Sequence, residues 1–245
     1  MIGSVSYLNA KPLIHGLPPE ELFLDVPFSL SKRFAGGGLE AALLPVFEIF
    51  QFPNPVVVDG IAIGCLGPVK SVIVASPGPF REAREIYPDP SSVTSNTLLK
   101  VLLAEFFPGG SRVMPAEDRL PETAARLLIG DRALEFRKTC PDWYFFDLGE
   151  CWFEKTGLPF VFAAWCLSPP IKAHLADLLR LTCQRGLSQL REIAIATDDP
   201  TDSLEYLSHN IRYRLGEPEK AALELFAALA VRHGLLAKTP HLVWV

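Results

Sequence analysis

Short apolar runs alternate with short helical patterns over the first third of the chain. The apolar runs predict strands, and the stretches between them, where apolar positions recur every three or four residues, predict helices. The predicted strands are residues 2–8, 22–28 and 41–44, and the predicted helices are residues 12–17 and 29–34. Because strands separated by helices need crossover connections, this pattern predicts a parallel sheet.

Longer elements continue the alternation in the middle of the chain. Residues 159–167 form a continuous apolar run, which is typical of a strand buried on both faces. Residues 96–107 place large apolar side chains on one face and predict a helix. The other predicted elements are extended structure at residues 55–59, 61–66, 71–76, 113–114 and 143–148, a helix near residues 121–129, and a helical region from residue 170 to about 233.

Two of the predicted strands divide the chain into two lobes. The strand at residues 71–76 ends at a Pro-Gly-Pro cluster, which favours a change of chain direction. Together with the strand at residues 160–167 it brackets a middle segment. We therefore predict a two-lobed α/β fold, with a first lobe from residues 1–75 and 165–245 and a second lobe from residues 76–164. A cleft between two lobes is where small ligands usually bind.

Composition supports a globular protein and argues against some classes of partner. Apolar residues make up 49% of the 245 residues and charged residues 21%, which suits a folded core. The net charge of −5 provides no general basic field, so we expect neither a nucleic acid nor a membrane surface as partner. An anionic ligand must therefore be held by local hydrogen-bond donors.

The sequence also bears on redox state and location. The five cysteines are odd in number and none forms a C-x-x-C pair, so neither a disulfide framework nor a zinc site is expected. No basic segment followed by an apolar run opens the chain, and no apolar stretch approaches the ~20 residues of a membrane span. We expect a cytoplasmic protein, either a monomer or a homodimer.

Ser6 and Asn9 form the first candidate site. They follow the first predicted strand, at the point where the chain enters a helix. Ligands bind outside the carboxyl ends of strands in open parallel sheets, and an asparagine there offers both a donor and an acceptor. The alternative is that both side chains only cap the helix that Pro12 helps to begin.

A run of hydroxyl residues forms the second candidate site. Residues 91–96 have the sequence SSVTSN and precede the strongest predicted helix, whose free N–H groups and dipole favour an anion. Thr94 and Ser95 add hydroxyl donors. Simple helix capping explains one of these residues and remains the alternative. Ser71, at the predicted crossover into the second lobe, is a third candidate for the cleft.

The common catalytic signatures are absent from the sequence. It contains no G-x-G-x-x-G, P-loop, G-x-S-x-G or H-E-x-x-H motif, and its five histidines are scattered. The residues by themselves therefore predict a two-lobed binder of a small anion and no particular reaction.

Several segments in order along the chain resemble one enzyme family. The opening segment VSYLNAKPL at residues 5–13 is the most recognisable. The others are GPVKSV at residues 67–72, SVTS at 92–95, LIGDRAL at 128–134, DLGE at 147–150 and TGLPFVFAAW at 156–165. Together they resemble the chorismate dehydratases of the futalosine-dependent menaquinone pathway. The last 75 or so residues match only as a helical region.

The resemblance implies a fold, a reaction and no cofactor. The implied fold is that of type II periplasmic binding proteins, with a ligand cleft between the lobes. The implied activity is that of a carbon–oxygen lyase, which removes water from chorismate, a dianion, to give 3-[(1-carboxyvinyl)oxy]benzoate. No metal or organic cofactor is expected. The alternatives are a sibling enzyme of the pathway, which releases dihydroxynaphthoate, and a non-catalytic protein that binds a small anion.

The resemblance also suggests roles for the candidate residues. Thr94 and Ser95 would hold one substrate carboxylate, with Ser6 also in the binding site. Asn9 and Ser71 would act in catalysis, bound to the ring hydroxyl or to the second carboxylate. Asp131 and Asp147 lie in matching segments, but a carboxylate would repel a dianion. The enolpyruvyl carboxylate of the substrate is then the candidate base, and the enzyme would hold its reactive conformation.

Overall fold

Two mixed β-sheets organise the chain in the computed structural model, which describes residues 1–117 and 120–245. The first half contains β1 (Ile2–Ser4), α1 (Lys11–Ile14), β2 (Leu22–Leu24), α2 (Pro27–Ala35), β3 (Ala41–Pro45), α3 (Val46–Ile49), β4 (Val56–Cys65), β5 (Val72–Ser76), β6 (Glu85–Tyr87) and α4 (Val93–Phe106).

The second half is helical towards its end. It contains β7 (Arg112–Val113), β8 (Ala125–Ile129), α5 (Gly130–Thr139), β9 (Tyr144–Asp147), α6 (Leu148–Thr156), β10 (Phe160–Leu167), α7 (Ala173–Ser188), α8 (Leu190–Ile195), α9 (Pro200–Glu205), α10 (Glu217–Arg232) and β11 (Val243–Trp244). A π-helical turn, Tyr206–Asn210, follows α9 directly. Within residues 1–117 and 120–245, no helix is both long and apolar enough to cross a bilayer.

The first sheet has six strands in the order β11-β4-β10-β3-β1-β2. Strands β1, β2 and β3 are parallel, as their intervening helices predicted. Strand β10 lies antiparallel between β3 and β4. It is the predicted apolar run, and most of its side chains are buried. The neighbouring strands satisfy its backbone, and helices α3 and α10 pack against it.

The second sheet has five strands in the order β7-β6-β8-β5-β9. Strand β5 lies antiparallel to both β8 and β9, and β6 lies parallel to β7 and β8. The predicted lobe limits at residues 75 and 165 stay a prediction. Sheet membership favours earlier limits, since β5 belongs entirely to the second sheet and β10 entirely to the first.

The predicted helix near residues 121–129 is wrong. Residues Ala125–Ile129 form strand β8, in which Ala125, Leu127 and Ile129 are buried and the two residues between them are half-buried. This period of two is the pattern of a strand, and the pairing with β5 and β6 overrides the local helical preference. The two extended stretches predicted before and after Gly60 are one continuous strand, β4.

A close contact of backbones joins α1 to α7. At Gly186 of α7, a β-carbon would lie 2.0 Å from the carbonyl oxygen of Pro12. We expect Gly186→Ala to lower the free energy of unfolding by about 1–3 kcal/mol, because the obstacle is backbone that cannot rotate away. Chemical denaturation measures this loss. Gly36→Ala is the matched control, since its β-carbon would meet no atom closer than 3.6 Å. Equal stability of both variants would contradict the packing.

Candidate active site

A small cavity lies between the two sheets. The space that the centres of water molecules can occupy in it has a volume of about 80 Å³. The walls are mostly apolar, and the lining contains no lysine or arginine among the residues that the structure describes. The cavity is lined by Val5, Tyr7, Asn9, Pro27, Leu43, Pro45, Ile63, Val69, Ser71, Val72, Ser92, Thr94, Ser95, Ile129, Gly130, Phe162 and Ala163.

Four of the five predicted site residues line this cavity, namely Asn9, Ser71, Thr94 and Ser95. They come from the turn after β1, the crossover before β5 and the start of α4. The fifth residue, Ser6, is exposed and is not part of the lining. The structure therefore brings together residues separated by up to some 86 positions in the sequence.

Asn9 lies in a short 3-10 helix, Leu8–Ala10, directly after β1. Its backbone carbonyl accepts a hydrogen bond of 2.9 Å from the hydroxyl of Tyr213. Its side-chain oxygen Oδ1 is buried and has no hydrogen-bond partner among the described residues. Neither Ser6 nor Asn9 caps this helix or α1 through its side chain. Asn9 thus presents an acceptor to the cavity, where a ligand hydroxyl can satisfy it.

Ser71 is held by its backbone and by its side chain. The carboxylate of Asp147 accepts hydrogen bonds from the N–H groups of Val69 (3.1 Å) and Lys70 (2.7 Å), which fixes the approach to β5. Lys70 takes a left-handed φ of 62° there. The Ser71 hydroxyl is buried and accepts a hydrogen bond of 2.7 Å from the hydroxyl of Tyr206. Since its oxygen is an acceptor in this bond, its own hydrogen remains for a ligand.

At the start of α4, the residue that caps the helix is distinct from the two residues predicted to bind the ligand. Ser92 is the N-cap, because its hydroxyl oxygen accepts the N–H of Ser95 at 3.1 Å. The same hydroxyl donates to the Ser95 hydroxyl at 2.9 Å. Thr94 Oγ1 accepts the N–H of Phe47 at 3.1 Å. Thr94 and Ser95 therefore use their oxygens as acceptors, and both retain a hydroxyl hydrogen to donate.

The two aspartates of the matching segments have structural partners. Asp147 accepts hydrogen bonds from four backbone N–H groups, those of Val69, Lys70, Gly149 and Glu150. Asp131 accepts the N–H of Leu8 at 3.1 Å. Burial raises the pKa of both carboxyl groups above its usual value. Both aspartates join distant parts of the chain, and neither lines the cavity.

Sequence reasoning missed two tyrosines behind the cavity. Tyr206 donates to Ser71 and Tyr213 donates to Asn9, across 135 and 204 positions of sequence respectively. Burial raises the pKa of the Tyr206 phenol far above its usual value, so the hydroxyl stays protonated and acts as a donor. No local motif surrounds either tyrosine, so no sequence signal pointed to them.

Within residues 1–117 and 120–245, no three His, Cys, Asp or Glu side chains lie close enough together to share a metal ion.

The sequence is similar to proteins of menaquinone biosynthesis. The profile of a family described as menaquinone biosynthesis matches residues 1–232. The chorismate dehydratase of Thermus thermophilus is 31% identical, over 93% of this chain and 93% of that protein. The chorismate dehydratase of Campylobacter jejuni is 33% identical, over 90% of this chain and 88% of that protein.

Solved structures at low identity show the fold. Protein AF1704 from Archaeoglobus fulgidus superposes with a TM-score of 0.71 at 13% identity, over 96% of this chain and 97% of that one. The periplasmic aliphatic sulphonate binding protein SsuA from Escherichia coli gives 0.65 at 13% identity, over 98% of this chain and 94% of that one. The predicted two-lobed, periplasmic-binding-protein-like α/β fold is thereby confirmed.

Proposed function

Because the chain belongs to the menaquinone biosynthesis family, we propose that it is a chorismate dehydratase, which converts chorismate to 3-[(1-carboxyvinyl)oxy]benzoate and water. One observation carries the proposal beyond the family. Three of the hydroxyls that line the cavity, on Ser71, Thr94 and Ser95, each accept a hydrogen bond from the protein. Each therefore has its hydrogen left to give to a ligand.

The polarity of the cavity matches the substrate. Chorismate carries two carboxylates and one hydroxyl. The carboxylates accept hydrogen bonds and are complementary to the hydroxyl donors of Ser71, Thr94 and Ser95, of which the last two lie at the N-terminal end of α4. The ring hydroxyl can donate to the buried acceptor Oδ1 of Asn9. Two charges are thus held by oriented dipoles, without a lysine or arginine in the described lining.

The chemistry needs only modest assistance from the protein. The hydrogen on the ring carbon that bears the enolpyruvyl ether is acidic, because a ring double bond conjugates that carbon with the ring carboxylate. Hydrogen bonds to this carboxylate stabilise the negative charge as the proton leaves. The electron pair then expels the neighbouring hydroxyl as hydroxide, which leaves with the proton as water. The ring becomes aromatic, which makes the step irreversible.

The base is best supplied by the substrate itself. The two nearby aspartates that the sequence suggested are bound to backbone N–H groups and do not line the cavity. In the proposed mechanism the enolpyruvyl carboxylate takes the ring proton, with the ether linkage holding it close. The protein contributes by fixing that reactive conformation in a narrow, mostly apolar cavity. The sibling enzyme and the binding protein are not favoured, since the curated relatives are chorismate dehydratases.

Turnover of chorismate tests the proposal directly. We expect the purified protein, treated with a chelator and given no nucleotide, to form the aromatic product, measured by its absorbance and by chromatography. The reasons are the family resemblance and a mechanism that balances without an added reactant. Binding of chorismate without conversion would contradict the proposal and indicate a non-catalytic binding protein. Activity lost on chelation and restored by a divalent metal would contradict a cofactor-free reaction.

A further inference from the structure

Tyr206 stands behind the cavity and contacts two of its polar residues. Its side chain is 1% exposed, and its hydroxyl donates to Ser71 at 2.7 Å. Burial raises the pKa of the Tyr206 phenol, and the Asn9 side chain beside it, acting as a hydrogen-bond donor, opposes this rise. Because the phenol hydrogen is given to Ser71, the group of Asn9 that suits the phenol oxygen is its amide N–H. One hydroxyl therefore lies beside both of the residues that we predict to act in catalysis.

These two contacts of Tyr206 set the directions of the hydrogen bonds on the cavity side. Ser71 accepts from Tyr206, so its hydrogen is free to point towards a ligand. The Asn9 amide N–H suits the phenol oxygen of Tyr206, and its oxygen Oδ1 is buried and has no partner among the described residues. A serine and an asparagine without this neighbour could each present either a donor or an acceptor.

The position of Tyr206 is itself held in place. It begins the π-helical turn Tyr206–Asn210, and its carbonyl accepts the N–H of Ile211 five residues on, at 3.2 Å. The residue before it, Glu205, forms an ion pair of 2.7 Å with Lys70, the residue before Ser71. Adjacent contacts thus pair residues 70–71 with residues 205–206. Single π turns inserted into helices occur frequently at functional sites.

We propose that Tyr206 is a positioning residue for the proposed dehydration, which turns the Ser71 hydroxyl hydrogen and the Asn9 carbonyl oxygen towards the substrate. The proposal rests on the proposed function, because it concerns the same cavity. Tyr206 does not line the cavity, so it acts through Ser71 and Asn9. In the reaction, Ser71 donates to a substrate oxygen whose negative charge grows, and Asn9 accepts from the ring hydroxyl.

The Tyr206→Phe variant removes the phenol oxygen and keeps the ring. We expect its kcat for chorismate to fall about 10- to 100-fold while KM changes less than about threefold, since the direction of a donor matters most where charge develops. The decisive measurement is a double-mutant cycle with Ser71→Ala. If Tyr206 acts through Ser71, the double variant loses at least about fivefold less activity than the product of the two single losses.

Tyr213→Phe provides the matched control. Tyr213 is also buried and also donates one hydrogen bond at this end of the cavity, to the backbone carbonyl of Asn9. It makes no hydrogen bond with Ser71 among the described residues. The losses of activity from Tyr213→Phe and Ser71→Ala should therefore multiply in the double variant. The positioning role would be overturned if the losses of activity from Tyr206→Phe and Ser71→Ala also multiply. It would equally be overturned if Tyr206→Phe leaves kcat unchanged.

Two further measurements keep the outcome clear. Site-specific replacement of Tyr206 by 3-fluorotyrosine keeps the hydroxyl and the packing but makes the phenol a stronger donor. It should alter kcat with the melting temperature unchanged, and an unaltered kcat would contradict the proposal even if Tyr206→Phe folds poorly. Absence of chorismate turnover in the unmodified protein would refute the proposed function, whereas turnover with multiplying losses would refute the positioning role alone.

Discussion

Asn9→Asp should lower kcat/KM for chorismate by about 1,000-fold or more, since like charges brought together cost several kcal/mol. The change nearly preserves the shape of the side chain. It places a negative charge at a buried position whose oxygen has no partner among the described residues, beside a substrate with two negative charges. It also removes the amide hydrogens that suit the phenol oxygen of Tyr206. Steady-state kinetics with a thermal melt of each variant measures the effect.

Two other variants show whether the loss comes from the site. Asn54→Asp adds the same charge at an exposed position that already has a left-handed φ of 49°, and it should leave kcat/KM unchanged. Asn9→Ala removes the acceptor without adding charge, and it should lower kcat more than it raises KM if Oδ1 holds the ring hydroxyl in the reactive orientation. An Asn9→Asp variant with normal kinetics, or one in which the new carboxylate speeds the reaction as a base, would contradict the assigned role.

Replacement of both Thr94 and Ser95 by alanine should weaken chorismate binding by roughly 100- to 10,000-fold. The two hydroxyls each retain a hydrogen for the ligand, and two hydrogen bonds to a charged group are worth about 3–6 kcal/mol together. The start of α4 should remain folded, because Ser92 supplies the cap. Calorimetric titration with chorismate, or KM where turnover is too fast, measures the loss.

Two other variants of α4 separate binding from helix stability. Thr97→Ala also removes a buried hydroxyl, but Thr97 does not line the cavity, so chorismate affinity should stay near normal. Ser92→Ala removes the cap and should lower stability by about 1 kcal/mol. If the Thr94/Ser95 double variant loses stability as Ser92→Ala does, and binds chorismate normally, this end of the helix is only a cap.

The sequence predicted the elements that have a strong and uniform pattern. Strand β10 and helix α4 were predicted within a few residues, because the first is continuously apolar and the second repeats apolar side chains at helical spacing. Strand β8 was mistaken for a helix. Its five residues, ARLLI, are too few to separate a period of two from one of 3.6, and its pairing partners lie far away in the sequence.

The candidate site was predictable where its residues carry a local signal. The hydroxyl run before α4 and the segment after β1 both stand out in the sequence, and both line the cavity. Ser6 lies beside them in sequence but points elsewhere, since a turn directs neighbouring side chains to different sides. Tyr206 and Tyr213 reach the site only through the packing of the C-terminal helical region, across 135 and 204 positions.

The directions of the hydrogen bonds around the cavity have a consequence for the evolution of such proteins. Thr94 is oriented by Phe47 of α3, and Ser71 by Tyr206 of the C-terminal region, so partners from distant parts of the chain orient both hydroxyls. A change of ligand preference can therefore arise at Tyr206, whose side chain supplies the bond to Ser71 and does not line the cavity. The ligand preference of the cavity therefore depends on the C-terminal region as well as on the residues that line it. Replacing the C-terminal region with that of another protein would change the direction of the Ser71 hydroxyl.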